Sequence, residues 1–174
     1  MANFAFSTKL EILPPKIDMK DNTPKMRKAM NSALVEGTIK ASAYVQRDLR
    51  IALDKAVTAP GWAWPGTTIR GNGSIAGTAR NIIDSGKLKR SLVLSEKNLK
   101  TKTVIQIKYN TPYAAFVHYG GAIQPYGNRN ANTVIIPGRP WIQATLTGSN
   151  GIEKFNMSKP MNAGFNEVWS RKFG

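Results

Sequence analysis

Cysteine is missing from this chain altogether, and histidine occurs once. Without thiols there is no disulfide framework, and most structural zinc sites are closed off with it. Folding in a reducing, cytoplasmic compartment fits that usage. The single histidine, His118, would have to carry any His-based triad alone, and it follows an apolar helical face where a structural, hydrogen-bonded role is expected. No serine sits in a Gly-x-Ser-x-Gly elbow. Acids are scarce too: ten Asp and Glu, scattered along the chain, would need long-range convergence to hold two metal ions. No apolar run approaches the ~18 residues of a membrane span. The start, Met1-Ala2-Asn3-Phe4, lacks the basic-then-apolar pattern of a signal peptide. Gly71-Asn72-Gly73 is not followed by Gly-Lys-Ser/Thr, so no phosphate loop is expected. The expectation is a protein that is not an enzyme, with no catalytic residues, metal, cofactor, small-molecule substrate or membrane partner.

Positive charge is abundant. Twenty-five Lys and Arg against those ten acids leave a formal charge of +15 over 174 residues, a field that favours anionic partners. The charge is uneven. Lys87, Lys89, Arg90, Lys97, Lys100, Lys102 and Lys108 face one acid, Glu96, across their stretch, whereas only Arg129 and Arg139 are charged between Tyr109 and Gly151. The basic cluster suits a surface facing DNA backbone or an acidic partner, without base readout. A plainly solvated surface is the other reading.

The length and the 41% hydrophobic content suit a single globular domain over 1–174. Residues 1–15 read as a strand or arm, with Phe4, Phe6, Thr8, Leu10 and Ile12 on one side and Pro14-Pro15 ending it. With no local partner, that strand joins a distant sheet or adds to a neighbouring subunit. Thr23-Pro24 opens a long helix that stops near Val57. Its stripe is Met26, Met30 and Leu34, then Val45, Leu49 and Leu53, and Gly37 marks a bend or a close helix contact. Residues 59–75 read as a long loop in which Trp62 and Trp64 are either partner anchors or caps on the core. Asp84 or Ser85 caps a short turn with Leu88 inward. A hairpin follows: Leu92 and Leu94, a turn at Lys97-Asn98, then Thr103, Ile105, Ile107 and Tyr109 on one face with Lys102, Gln106 and Lys108 opposite. Thr111-Pro112 opens a helix burying Tyr113, Phe116 and Val117 and ending at Gly120-Gly121. Residues 121–132 form a second long loop, its polar part from Gln124 onward the segment expected to move. Thr133–Ile136 is a short strand, Pro140–Leu146 a short helix, and Pro160–Lys172 the last helix, with Met161, Phe165, Val168, Trp169 and Phe173 on one stripe.

Three short segments stand in fixed order: Ser85-Gly86-Lys87-Leu88-Lys89-Arg90-Ser91, Tyr113-Ala114-Ala115-Phe116-Val117-His118-Tyr119-Gly120, and Pro137-Gly138-Arg139-Pro140-Trp141. Together they resemble the tail-completion, or neck, proteins of tailed bacteriophages, a family also described as minor tail components and virion morphogenesis proteins. The family pattern is a Thr/Ser-Gly-x-Leu-x-x-Ser turn, a Tyr-Ala-x-x-Val-x-x-Gly helix and a Pro-Ala-Arg-Pro-Phe segment, and the resemblance covers roughly residues 24–172. This chain departs from it at His118, where an acid is common, at Gly138 for Ala, and at Trp141 for Phe.

The resemblance implies an α+β single domain, with a long N-terminal helix and a C-terminal helix packed on a small antiparallel sheet. It further implies a structural virion protein that forms a homo-oligomeric ring at the head–tail junction, meets neighbouring neck and tail-tube proteins, and leaves a lumen for DNA. Such a protein is assembled in the host cytoplasm and resides at the neck. Interface candidates are Trp62, Trp64, Arg139 and Trp141, Arg139 either bonding a neighbour or a helix end of its own chain. A tail terminator of the same region, or a basic protein that binds nucleic acid without sequence preference, are the alternatives.

Overall fold

Thr23 and Pro24 start the longest element as their chemistry requires: the Thr23 hydroxyl accepts the Met26 N–H at 3.3 Å, and Pro24 occupies the first helical position. The computed structural model describes residues 6–14, 23–69, 73–83, 85–99, 102–124 and 133–174. Phe4, Pro15, Gly71, Asn72, Asp84, Lys100, Arg129 and the rest of 125–132, all named above, lie outside them. The element order is β1 (Phe6–Ile12), α1 (Pro24–Thr58), β2 (Trp62–Ala63), β3 (Thr68–Ile69), β4 (Ile75–Ala76), β5 (Ala79–Arg80), α2 (Lys87–Arg90), β6 (Leu92–Asn98), β7 (Thr103–Tyr109), α3 (Ala114–Tyr119), β8 (Gly120–Ile123), β9 (Val134–Pro137), α4 (Trp141–Thr147) and α5 (Ser158–Phe173). The fold class is α+β, with a long N-terminal helix, a C-terminal helix and small antiparallel sheets. Among the described residues no helix is long and apolar enough to cross a membrane.

β7 is the central strand of a three-stranded sheet, ordered β1-β7-β6. The pairing of β1 is therefore within its own chain. β6 and β7 form the expected hairpin, closed by Leu99 N–H to Lys102 O (2.8 Å) at one end and Asn110 N–H to Ser91 O (3.0 Å) at the other. β6 runs through Asn98, so the turn comes later than Lys97-Asn98. The alternation of β7 is complete, with Thr103, Ile105, Ile107 and Tyr109 buried and the residues between them half-buried.

The chain divides into two compact units. The first holds Ile51–Val93, Lys108–Phe155 and the first residues of β1; the second holds Thr8–Arg50, Leu94–Ile107 and Asn156–Gly174. In the second unit, Ile12, Ala33, Ala41, Val45, Leu49, Ile105, Ile107 and Val168 are buried, each large side chain contributing roughly 1.5–3 kcal/mol. Here α5 packs on α1 at close range. A Cβ on Gly164 would stand 2.4 Å from the Ala41 Cα, and Gly37 lies against the Phe165 ring. Gly37 thus serves close contact, and α1 runs through it unbroken. Glu36 pairs with Arg171 and Lys172, and Glu167 accepts from Lys40 (2.8 Å) and the Tyr44 hydroxyl (2.7 Å); these pairs are exposed and screened by solvent, so they fix geometry more than they stabilise.

Two expected stripes shift. Met26 is 47% exposed, because among the described residues nothing covers the first turns of α1. On α5 the buried line is Pro160, Gly164 and Val168, while Trp169 and Phe173 stack on each other outside it (4.6 Å). The smallest residue faces the closest backbone, which a hydrophobicity stripe does not register.

In the first unit, Leu53, Ala56 and Val57 of α1 are buried, as are Trp62, Ile82, Leu88, Leu92, Tyr109, Ala114, Ile136, Trp141 and Ile142. The loop expected over 59–75 holds paired strands: β2 with β5 (Trp62↔Arg80) and β3 with β4 (Ile69↔Ile75). β8 pairs antiparallel with β9, Gly120 opposite Pro137, so strand occupies the start of the loop expected from residue 121. α3 buries Ala114 and His118 in place of Tyr113, Phe116 and Val117, and the Thr111 hydroxyl caps nothing, its oxygen buried without a hydrogen-bond partner. Ser85 provides no cap to α2 either; Gly86 occupies the N-cap position.

Candidate functional site

The three ordered segments meet in the first unit around one cavity of about 570 Å³. Ser85, Gly86, Lys87, Leu88 and Lys89 come from the first, Tyr113 and Val117 from the second, Arg139 from the third. Trp64, Thr68, Ile69 and Arg80 through Ile83 complete the lining. The second and third segments are joined by a tight backbone crossing. A Cβ at Gly120 (φ +78°) would lie 2.5 Å from the Gly138 nitrogen, and one at Gly138 would lie 2.7 Å from the Tyr119 oxygen. The Arg139 N–H then donates to the Val117 carbonyl at 3.1 Å. Only glycine admits this approach, and it delivers Arg139 into the cavity wall.

Arg139 is 4% exposed, yet its Nε and Nη2 find no hydrogen-bond partner among the described residues. Its guanidinium lies 4.1 Å from the centre of the Trp64 ring, and the Arg80 guanidinium lies 4.6 Å from the same centre. Burial, and secondarily the positive charge of Arg80, push the Arg139 guanidinium down to about 10; it is charged at neutral pH. A cation–π contact returns roughly 0.5–2 kcal/mol, less than the several kcal/mol that an unpaired buried charge costs. The site is therefore cationic and partly open, and among the described residues its buried guanidinium has no carboxylate partner. Arg80 is held by the Thr68 hydroxyl and by the Gly66 carbonyl at 2.7 Å. No carboxylate stands among the described lining residues.

The interface candidates are placed as follows. Trp62 is 3% exposed and its indole donates to the Ala56 carbonyl at 2.8 Å, and Trp141 is fully buried. Both belong to the core and offer no surface to a partner; a Trp just past a helix end finds its acceptor in the last helical carbonyls. Trp64 is half-buried and lines the cavity. Among the described residues, the Arg139 Nε and Nη2 bond no helix C-terminus.

Of the basic cluster, Lys87, Lys89, Arg90 and Lys108 belong to the first unit, Lys97 and Lys102 to the second. Lys89 pairs with Asp54 at 3.4 Å, Lys102 with Glu11 at 2.8 Å, and Arg90 turns back onto the Ser85 carbonyl at 3.0 Å. Long-range partners thus spend part of a charge run that looks uniform in sequence. Arg80 was not singled out by sequence reasoning; one of two arginines in a glycine-rich stretch, it carries no local signal. Arg139 did carry one, since its neutral flanks supply no counter-ion.

His118 sits 5% exposed in an aromatic nest, 4.5 Å from Phe6, 4.9 Å from Tyr119 and 4.7 Å from Trp141 between ring centres. Burial lowers its pKa to about 4, so it is neutral at pH 7, and its Nδ1 makes no hydrogen bond among the described residues. The surroundings of His118 are aromatic packing, and the hydrogen bond expected of it is not made at Nδ1 among the described residues. Among the described residues no group of three or more acidic or histidine side chains is arranged to hold a metal ion.

Comparison with family models, curated proteins and solved structures finds no match for this chain.

Proposed function

We propose that this chain is a structural virion protein of a tailed phage, a subunit that closes into a ring at the head–tail junction, completes the tail and leaves a lumen for DNA. The observation that supports this reading most is the meeting of the three ordered segments at one cavity. Segments far apart in sequence jointly build a single receptive surface feature, as a docking subunit requires. In this reading the protein acts by position alone: copies repeat around an axis, cationic side chains meet phosphate backbone without reading bases, and the enclosed arginine engages a neighbour.

Electron microscopy and native mass spectrometry of the purified chain test it. The expected result is a closed ring with a central opening, and antibody labelling of purified virions at the neck. A chain that stays monomeric at all concentrations and is absent from virions would refute the proposal. A tail terminator would place the same ring on the tail tube in tube-only assemblies. Nucleic-acid binding by a free subunit is favoured by the +15 charge; it would appear as DNA affinity falling steeply with salt, without rings.

A further inference from the structure

We propose that the cavity around Arg139 is a recognition pocket for an acidic peptide, taking a carboxylate side chain of a partner protein onto the Arg139 guanidinium. This concerns what the cavity takes and stands apart from whether the chain forms a ring.

Four observations carry it. Arg139 is buried, charged and unpartnered at two nitrogens, while the described lining residues include no acid. A buried guanidinium with no counter-ion among the described residues can take an anion, and its fork fits a carboxylate with two parallel bonds. Arg80, Lys87 and Lys89 add positive charge around the same cavity, Lys89 already shared with Asp54. The volume, about 570 Å³, lies in the range of ligand pockets and far exceeds one small inorganic anion. Trp64, Ile69, Ile82 and Val117 give apolar wall, which suits the methylene stem of a glutamate and its neighbours.

Charge and shape choose among occupants. At this cavity the net charge of +15 favours an acidic partner over another copy of the chain, whose ring contacts would lie elsewhere on the subunit. Duplex DNA presents its phosphates on a stiff convex surface, and an arginine 4% exposed in a recess is out of its reach. A protruding acidic side chain is not.

Titration calorimetry on the full chain tests the assignment, using a capped hexaglutamate peptide, a capped hexaglutamine peptide, inorganic phosphate and a random-sequence DNA duplex. Hexaglutamate should bind and hexaglutamine should not. Arg139→Met should weaken hexaglutamate binding by about tenfold or more, whereas Lys97→Met, which removes the same charge elsewhere, should change it by less than about twofold. Arg139→Lys keeps the charge without the fork and should fall between; it carries the reading alone if Arg139→Met does not fold. The melting temperature of Arg139→Met should be unchanged or higher, because an unpaired buried charge is removed. Equal hexaglutamate affinity in the native chain, Arg139→Met and Arg139→Lys would overturn the proposal. Loss of phosphate or DNA binding on Arg139→Met, with hexaglutamate unaffected, would overturn it in favour of a phosphate site.

Discussion

Gly164→Ala should destabilise the protein even though alanine is the better helix former. The methyl carbon would sit 2.4 Å from the Ala41 Cα, 2.5 Å from the Ala41 nitrogen and 2.9 Å from the Lys40 carbonyl carbon. Ordinary carbon contacts are ~3.5–4.0 Å, so α5 must retreat from α1 by about 1 Å, and a gap of that size forfeits a quarter to a half of each neighbouring dispersion contact. Overpacking of this kind costs about 1–3 kcal/mol, and the upper end applies because main chain cannot rotate aside. Better propensity returns about 1 kcal/mol. The net loss is about 2 kcal/mol, or about 4–8 °C in Tm for a chain of this length. Urea denaturation followed by circular dichroism measures it, with Gly77→Ala, which meets nothing within 4 Å, as a control expected within ~0.5 kcal/mol of the native chain. Because the atoms struck are backbone, Ala41→Gly should not rescue the variant. Gly37→Ala differs: its methyl would strike the Phe165 ring, 2.5 Å from Cδ1, and Phe165→Leu should restore most of the loss. A Gly164→Ala chain as stable as the native one would refute the close helix packing.

Trp62→Ala should cost about 3–5 kcal/mol, the range for deleting a buried aromatic, and Trp64→Ala about 1–2 kcal/mol, since it removes a half-buried ring and its two cation–π contacts; thermal unfolding of the two single variants would show the contrast, and equal losses would deny it. His118 has a folded pKa near 4 against an unfolded 6.5, so the native state binds fewer protons between those values. The stability it maintains is full above pH 6.5 and lost as pH falls toward 4, by about 3 kcal/mol. The gap between native chain and His118→Phe should therefore shift by that amount between pH 7.5 and pH 4 in urea titrations, and parallel curves would contradict a buried neutral imidazole.

Local grammar made the long elements legible. Thr23-Pro24 announced α1, the 2-residue alternation from Thr103 to Tyr109 announced β7, and Pro140 and the stripe ending at Phe173 announced α4 and α5. What escaped depended on contacts across the chain. A six-residue helix such as α3 is too short to fix its own phase, so Ala114 and His118 took the inward side over Tyr113 and Phe116. β2 to β5 are two residues each, with no room for alternation, and exist only through their pairing. The ordered segments were visible as words, but their meeting point was not, because it depends on Gly120 and Gly138 crossing. Arg139 was named as a candidate; that no acid stands among the described residues lining its cavity needed three dimensions.

The unmet guanidinium of Arg139 has a practical corollary for handling this protein. Under the acidic-peptide proposal, a bound carboxylate would offset the cost of that buried cation, so the occupied form should be the sturdier. Preparations made together with an acidic companion should survive heating and long storage better than those made without it.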